Sequence, residues 1–301
     1  MSHPVFDIVE PTPNVERNVP DRRTMLRLLC GMAGLPPLSS VTTMAACSDA
    51  SASTPASPSA VLAAPNSPPS LGAHSLVYNR DGVAVAPLTT ASMLTQTSGS
   101  TLLACVGRGV LSAHSSPSDS LSNPYAQAGT AHPYTNWSSS GTALYACQQA
   151  RGGPGHRVSV AKPIASDETT LSVVEVVNGG QVVDVRWNEV LAGQPLTSPA
   201  VTTSGPALLI AWWWGDADVR LDKTATPNNG FAVVDAILLQ GALVQCAVAV
   251  RQVAASGTYQ VTWTSTPVQG AQLWVAAVQS GPASSLPNAP ANLRILPPGP
   301  S

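Results

Sequence analysis

From residue 74 onward the chain is a succession of short apolar runs separated by clusters of Gly, Pro, Ser and Asn. Runs bounded by turn residues in this way read as β-strands. The clearest alternation lies in 257–264, where Tyr259, Val261 and Trp263 fall on one side and Thr258, Gln260, Thr262 and Thr264 on the other. A period of two with one apolar side describes a half-buried strand. Segments 170–177 and 207–214 are apolar almost throughout, the pattern of central strands covered on both faces. Further strands are expected at 75–78, 93–95, 101–106, 143–148, 157–161, 182–187, 231–239, 243–253 and 272–278, with a tight hairpin at Gln240-Gly241. No segment combines helix caps with a 3.6-residue period. The expectation is an all-β chain, an antiparallel β-sandwich of the jelly-roll kind. The long interval 112–140 reads as a loop at an end or edge of the sandwich and carries His132, Tyr134, Asn136 and Trp137. Such loops carry recognition or cover a sheet edge.

The pattern changes before residue 74. Residues 1–20 hold Pro4, Pro11, Pro13 and Pro20 without periodicity. Then Arg22-Arg23-Thr24-Met25-Leu26-Arg27 leads into a short apolar run broken by Gly31, Gly34, Pro36 and Pro37. A basic region, an apolar region and small residues make the layout of an export signal. The run is too short and broken for a spanning helix. The arginine pair and its neighbours resemble the twin-arginine signal of bacteria. Met44-Ala45-Ala46-Cys47 resembles the lipobox of bacterial lipoproteins, with Met44 where Leu is usual. That resemblance implies cleavage before Cys47 and acylation of its thiol, and Ser48 leans toward the outer membrane. More than one acyl chain makes such an anchor stable, at roughly 0.8 kcal/mol per buried methylene. Residues 48–72 are dominated by Ser, Ala and Pro, the composition of a flexible tether. The organisation expected is thus a signal at 1–46, a lipid-bearing tether at 47–72, a β-sandwich at 73–282 and a Pro-rich tail at 283–301.

Composition narrows the function classes. The net charge is −2, and charged residues are only 10% of the chain, well below the usual quarter. No basic surface for nucleic acid is implied. The surface must draw its polarity from Ser, Thr, Asn and Gln, which suits neutral contacts. Of five cysteines, Cys30 and Cys47 precede the domain, leaving Cys105, Cys147 and Cys246 in apolar runs. Three buried thiols, or one disulfide and one thiol, both fit an exported domain.

Candidate chemistry is sparse. Trp212, Trp213 and Trp214 are consecutive, so on a strand Trp212 and Trp214 share a face. Exposed, they could stack on sugar rings; buried, they fill a core or a sheet–sheet seam. Tyr134 and Trp137 are the other candidate ligand contacts. Asp216, Asp218 and Asp222 could bind calcium, but their spacing lacks the Gly and Glu of an EF-hand loop; a solvated loop paired with Arg220 and Lys223 is the plainer reading. Glu175 lies among valines and needs a partner, with Arg186, Arg157 and His156 as candidates. A glycosidase would need a second facing carboxylate, for which Asp184 or Glu189 could be put forward. His74, His114, His132 and His156 show no metal-site spacing, and no nucleophile elbow or phosphate loop occurs. No catalytic residue, metal site or cofactor is assigned.

The order of runs STLLACVGRG, ALYACQQA, TTLSVVEVV and ALLIAWWW resembles uncharacterised jelly-roll domains of bacterial surfaces and phage tail-associated proteins. That resemblance implies a structural, adhesive or glycan-binding role and no reaction. The expectation is an exported, lipid-anchored envelope protein. It acts without catalysis through an interaction or structural surface, its partners being the membrane and an envelope protein or a glycan. A glycan-binding module is the alternative and a glycan-acting hydrolase the third reading.

Overall fold

Alternating and continuous apolar runs both fold as strands, and no helix forms among the described residues. In the computed structural model these residues are 67–79, 85–110, 113–192, 195–216, 222–239 and 245–281. The signal, Cys47, most of the tether, the Gln240-Gly241 hairpin, Asp218 and the 283–301 tail lie outside them. The first strands are β1 (Ser70–Asn79), β2 (Leu88–Thr89), β3 (Ser98–Arg108), β4 (Ser118–Asp119), β5 (Ala126–Gln127), β6 (His132–Tyr134), β7 (Trp137–Arg151), β8 (Val158–Val160) and β9 (Thr169–Val177). Then come β10 (Gln181–Val190), β11 (Leu196–Thr197), β12 (Val201–Thr203), β13 (Ala207–Asp216), β14 (Thr224–Pro227), β15 (Ala232–Ile237), β16 (Gln245–Val253), β17 (Gly257–Tyr259), β18 (Thr262–Thr266) and β19 (Gly270–Gln279). The first strand starts at Ser70, inside the expected tether. The expected loop 112–140 carries β4, β5, β6 and the start of β7, and β5 and β6 pair with β7.

The sandwich class expected from the alternation is present, and it is built twice. The long strands of the first half form a sheet in the order β1-β9-β3-β7, with β5 and β6 on the outer side of β7. Those of the second half form β10-β19-β13-β16, with β15 on the outer side of β16. Numbered within its own half, each sheet runs first, fourth, second, third. The short sheets also match each other, each running first, third, second, as β2-β8-β4 and β11-β18-β14.

Register and hydrogen bonds repeat as well. In the first half Thr90 N donates to Val158 O at 2.9 Å and Val158 N donates to Thr90 Oγ1 at 3.1 Å. In the second, Ser198 N donates to Val261 O at 2.9 Å and Val261 N to Ser198 Oγ at 3.1 Å. The neighbouring hydroxyls of Thr89 and Ser159 lie 2.9 Å apart, and those of Thr197 and Thr262 2.8 Å apart. These residues sit in a repeated sequence, PLTTASMLT at 87–95 and PLTSPAVTT at 195–203. Both first strands also carry a bulge at the corresponding place, between Leu71 and His74 and between Val182 and Asp184.

Each repeat is a sandwich of one long and one short sheet, and the repeats stack through their long sheets. Leu103, Cys105, Leu144 and Val174 face Ile210, Trp212, Val248 and Trp274 across this seam. Trp212 donates from Nε1 to Ser172 Oγ at 3.0 Å, and Trp274 from Nε1 to Thr142 Oγ1 at 2.8 Å. Two indoles of the second repeat thus lock onto hydroxyls of the first. The opposite faces of the long sheets pack on the short ones, with Leu102, Ala104, Val106, Val158 and Val160 in one core and Leu209, Ala211, Trp213, Val261 and Trp263 in the other. Facing both ways explains why the inner long strands β3, β9, β13 and β19 are buried at nearly every position.

Candidate functional site

The β6–β7 turn of the first repeat folds over the end of β13, and this brings three of the four candidate ligand contacts together. Trp137, 36% exposed, donates from Nε1 to Asp216 Oδ2 at 2.9 Å. Tyr134 is buried beneath it, edge-on to Trp214 with ring centroids 5.8 Å apart. A Cβ on Gly270 would lie 1.9 Å from the Tyr134 hydroxyl, so glycine there lets the tyrosine seat. Asn136 Nδ2 donates to the Tyr134 hydroxyl at 3.1 Å and to Leu191 O at 2.9 Å. Beside this turn the His132 ring stacks on Trp187 at 3.7 Å. Burial lowers the His132 pKa, with Glu189 acting in the other direction. Glu189 accepts from Thr135 N at 3.1 Å and Gln272 Nε2 at 3.0 Å.

Tyr134 and Trp214 are therefore seam residues, as is Trp212, which is fully buried and apart from them. Burial removes all three as ligand contacts; the sheet–sheet filling role is the one they take. Trp137 alone of the four reaches the surface.

The interior of the first repeat holds Arg108, Asp119 and Asp167, which sequence reasoning missed, beside His156 and His114, which it named without these partners. His156 Nε2 donates to Asp119 Oδ2 at 2.9 Å, and the Thr95 hydroxyl lies 2.9 Å from His156 Nδ1. Acid, imidazole and hydroxyl thus follow the order used by hydrolases. Here, however, Thr95 is 1% exposed, and its hydroxyl also accepts from Gly153 N at 3.0 Å. Asp119 accepts further from Leu121 N, Asn123 N, Asn123 Nδ2 and the Tyr125 hydroxyl. Burial pushes the Asp119 carboxyl up, but the bonds from Asn123, His156 and Leu121 outweigh it and hold it below its ordinary value. A second pair joins Arg108 Nη1 to Asp167 Oδ2 at 2.6 Å, both side chains buried. Asp167 also accepts from Val110 N and Thr169 Oγ1, and Arg108 donates to Ala161 O at 2.5 Å. Close by, burial first and the Arg108 charge second lower His114 to about 4.

Glu175 takes none of the partners expected. Its carboxylate accepts from Ala73 N at 3.0 Å and Gln96 N at 2.6 Å, pinning the β1 bulge to a loop. Gly72 makes room for it, since a Cβ there would come within 2.5 Å of the carboxylate. Asp184 and Glu189 stand on β10, in the other sheet; Asp184 is held by Arg186 and Thr202 N. Asp216 is held by Trp137, and among the described residues no group of acids, histidines and cysteines gathers as a metal site. The three domain cysteines are free and buried, with burial pushing Cys246 up to about 12 and Cys147 to about 11. No isolated motif announces these networks. The repeated PLT segment is the signal that could have located them, because aligning the halves exposes where they differ.

On one side of the seam a groove of about 370 Å³ opens between β5 and β10, lined by Ala126, Ala128, Ala146, Gln148, Val183 and Asp184 among others. The opposite side is shut by a His74–Asp235 contact at 2.8 Å.

The chain matches no family model, no curated protein and no solved structure.

Proposed function

We propose that the protein is exported and held at the cell envelope by acyl chains on Cys47, and that its paired sandwiches act there as a non-catalytic interaction or structural module. The observation that carries this reading is the fate of the buried acids. Asp119, Asp167 and Glu175 are the groups best placed for chemistry, and each is bonded to several donors of the protein itself. A carboxylate so ligated is a strut that fixes loops. Among the described residues the exposed side chains are mostly hydroxyl, amide and apolar ones, suited to contact with another neutral surface. The membrane part of the reading is tested by the intact mass of native protein extracted from membranes. A chain beginning at Cys47 with added acyl mass is expected; a chain that keeps residues 1–46, or lacks lipid, would overturn the anchor. Replacing Arg22 and Arg23 by lysine is expected to leave the precursor inside the cell, and normal export of that variant would refute the twin-arginine route.

A glycan-binding role is the second reading, and Trp137 favours it. Its indole is partly in solvent and fixed by Asp216, a plane of the sort that stacks on sugars. Trp137→Ala is expected to abolish any binding on a glycan array; unchanged binding would remove Trp137 from this role.

A further inference from the structure

The outward side of the second repeat's short sheet is made of threonine. Inward, Leu196, Ala225 and Trp263 enter the core. Outward, every cross-strand pair is Thr on Thr: Thr197 faces Thr262, Thr226 faces Thr264, and Thr224 faces Thr266. The small sheet of β12 and β17, which precedes β18 in the same line of chain, adds Thr202 facing Thr258. Eight of the chain's 24 threonines thus form four neighbouring pairs. Between the Thr197–Thr262 and Thr202–Thr258 pairs the outward residues are Pro199 and Gln260, both uncharged and exposed.

Strand propensity and the stability of Thr–Thr pairs explain threonine on a strand. They do not explain its exclusive use, because the exposed positions of β10 hold Gln181, Val183, Arg186 and Asn188. The array has a defined geometry. Strands lie about 4.8 Å apart, and like-facing residues recur about every 6.8 Å along a strand. Each threonine presents one hydroxyl and one methyl, on a side chain whose branching restricts it to few rotamers. Trp263, buried beneath and stacked on Trp213 with centroids 6.4 Å apart, stiffens the support.

A ligand matching such a face is uncharged, repeats in two directions at these spacings and offers both hydrogen-bonding oxygens and gaps for methyl groups. The oxygen lattice on a prism face of ice has these properties. We propose that this face binds ice, the threonine hydroxyls standing in lattice positions and the methyls resting in the gaps between them. Sugar recognition would call for an aromatic plane on the face, whereas the tryptophan of β18 points inward. The corresponding row of the first repeat is one line of hydroxyls, Thr89, Ser159 and Ser118, so the activity belongs to the second repeat.

The test uses the purified full chain in assays of ice shaping, thermal hysteresis and inhibition of ice recrystallisation, alongside retention on insoluble cellulose and chitin. The full chain is expected to shape ice and slow recrystallisation. Thr264→Tyr keeps a strong strand former but breaks the plane, and its activity is expected to fall to that of buffer with an unchanged circular-dichroism spectrum. Should that variant misfold, Thr264→Val preserves shape and strand preference while removing one hydroxyl, and partial loss is expected. Val233→Tyr, on the exposed side of β15, is expected to match the parent. No ice activity in the folded parent, or full activity in folded Thr264→Tyr or Thr264→Val, would overturn the proposal. So would retention on the polysaccharides, lost in Thr264→Tyr, without ice activity.

Discussion

At matching positions the two repeats solve one packing problem with opposite chemistry. Where the first has Val106 and Arg108 on β3, the second has Trp213 and Gly215 on β13; Val106 and Trp213 pair with Leu171 and Leu273 at the same level of the sheet. A Cβ on Gly215 would lie 2.0 Å from the Trp213 ring, so the indole occupies space beside its neighbour that the guanidinium takes in the other half. The partner of Arg108 is Asp167; its counterpart, the residue immediately before β19, is Gln269, whose side-chain amide is buried with no hydrogen bond. His156, opposite Met93, corresponds to Tyr259, opposite Val201. Glu175 with Gly72 at one bulge becomes Ala277 with Val183 at the other. What stays constant is the frame: alternation, bulge position and the Thr90 or Ser198 hydroxyl that caps a backbone amide. Polarity is exchanged on a shared frame: the ionic half bonds its buried charges to one another, whereas the aromatic half leaves the Gln269 amide without a partner.

The largest effect should come from breaking the ionic solution. Asp167→Ala leaves Arg108 charged and buried, at a cost of about 3–5 kcal/mol. Arg108→Met with Asp167→Leu removes both charges and should cost less than the single change, since it restores apolar contact. Urea unfolding of both variants checks this. If the single change cost no more than the double, the contrast between an ionic and an aromatic core would fail.

Equal effects are expected where the frame is shared. Thr90→Val and Ser198→Ala each strand a buried backbone amide, of Val158 or Val261, at about 1–3 kcal/mol. Matching losses in both halves would support one frame used twice. A loss confined to one half would mean that the matching bonds do unequal duty.

Acid should separate the repeats. The folded-state pKa of His114, about 4, lies below its ordinary 6.5. Between those values the unfolded chain holds a proton that the folded chain does not. Stability from this group is therefore full above pH 6.5 and declines as pH falls toward 4. His114→Gln should flatten that limb, by less than one proton's worth of slope. In hydrogen exchange at pH 4.5 the strands of the first repeat should open before those of the second. Equal opening of both halves would place the acid sensitivity elsewhere.

The frame was more legible than its contents. Strands are local and announced themselves through period and turn residues; the run 257–264 keeps its alternation, but Gln260 and Val261 divide it into β17 and β18, which pair with different strands. The four-layer stack was not legible, because a long strand covered by a second sandwich has the same apolar run as one covered by anything else. The long interval 112–140 hid three strands since each is only two or three residues long, too short for a period to show. Trp212 to Trp214 could be read either as seam or as ledge, and only the tertiary partners Ser172 and Tyr134 decide it. Glu175 was legible as a buried acid in need of partners. Its donors are backbone amides, which every residue but proline carries, so no residue type could point to them.

The smallest expected effect concerns the two edges of the seam. On the shut edge His74 and Asp235 meet at 2.8 Å, with side chains 32% and 21% exposed. The corresponding residues at the open edge are Val185 and Ala128, which line the groove. Both edges share a glutamine clasp: Gln148 accepts from Val182 N at 3.0 Å, and Gln252 donates to Pro69 O at 2.5 Å. If the clasps and the buried indoles hold the repeats together, the His74–Asp235 contact only fills the gap. His74→Val, which copies the open edge onto the shut one, should then cost about 0.2–1 kcal/mol in urea unfolding, as partly solvated pairs do. A loss above about 2 kcal/mol, beyond the range of such pairs, would make the contact a fastener of the seam. The groove would then mark an edge that lacks its fastener, because closing one edge would depend on a side-chain contact that the other lacks.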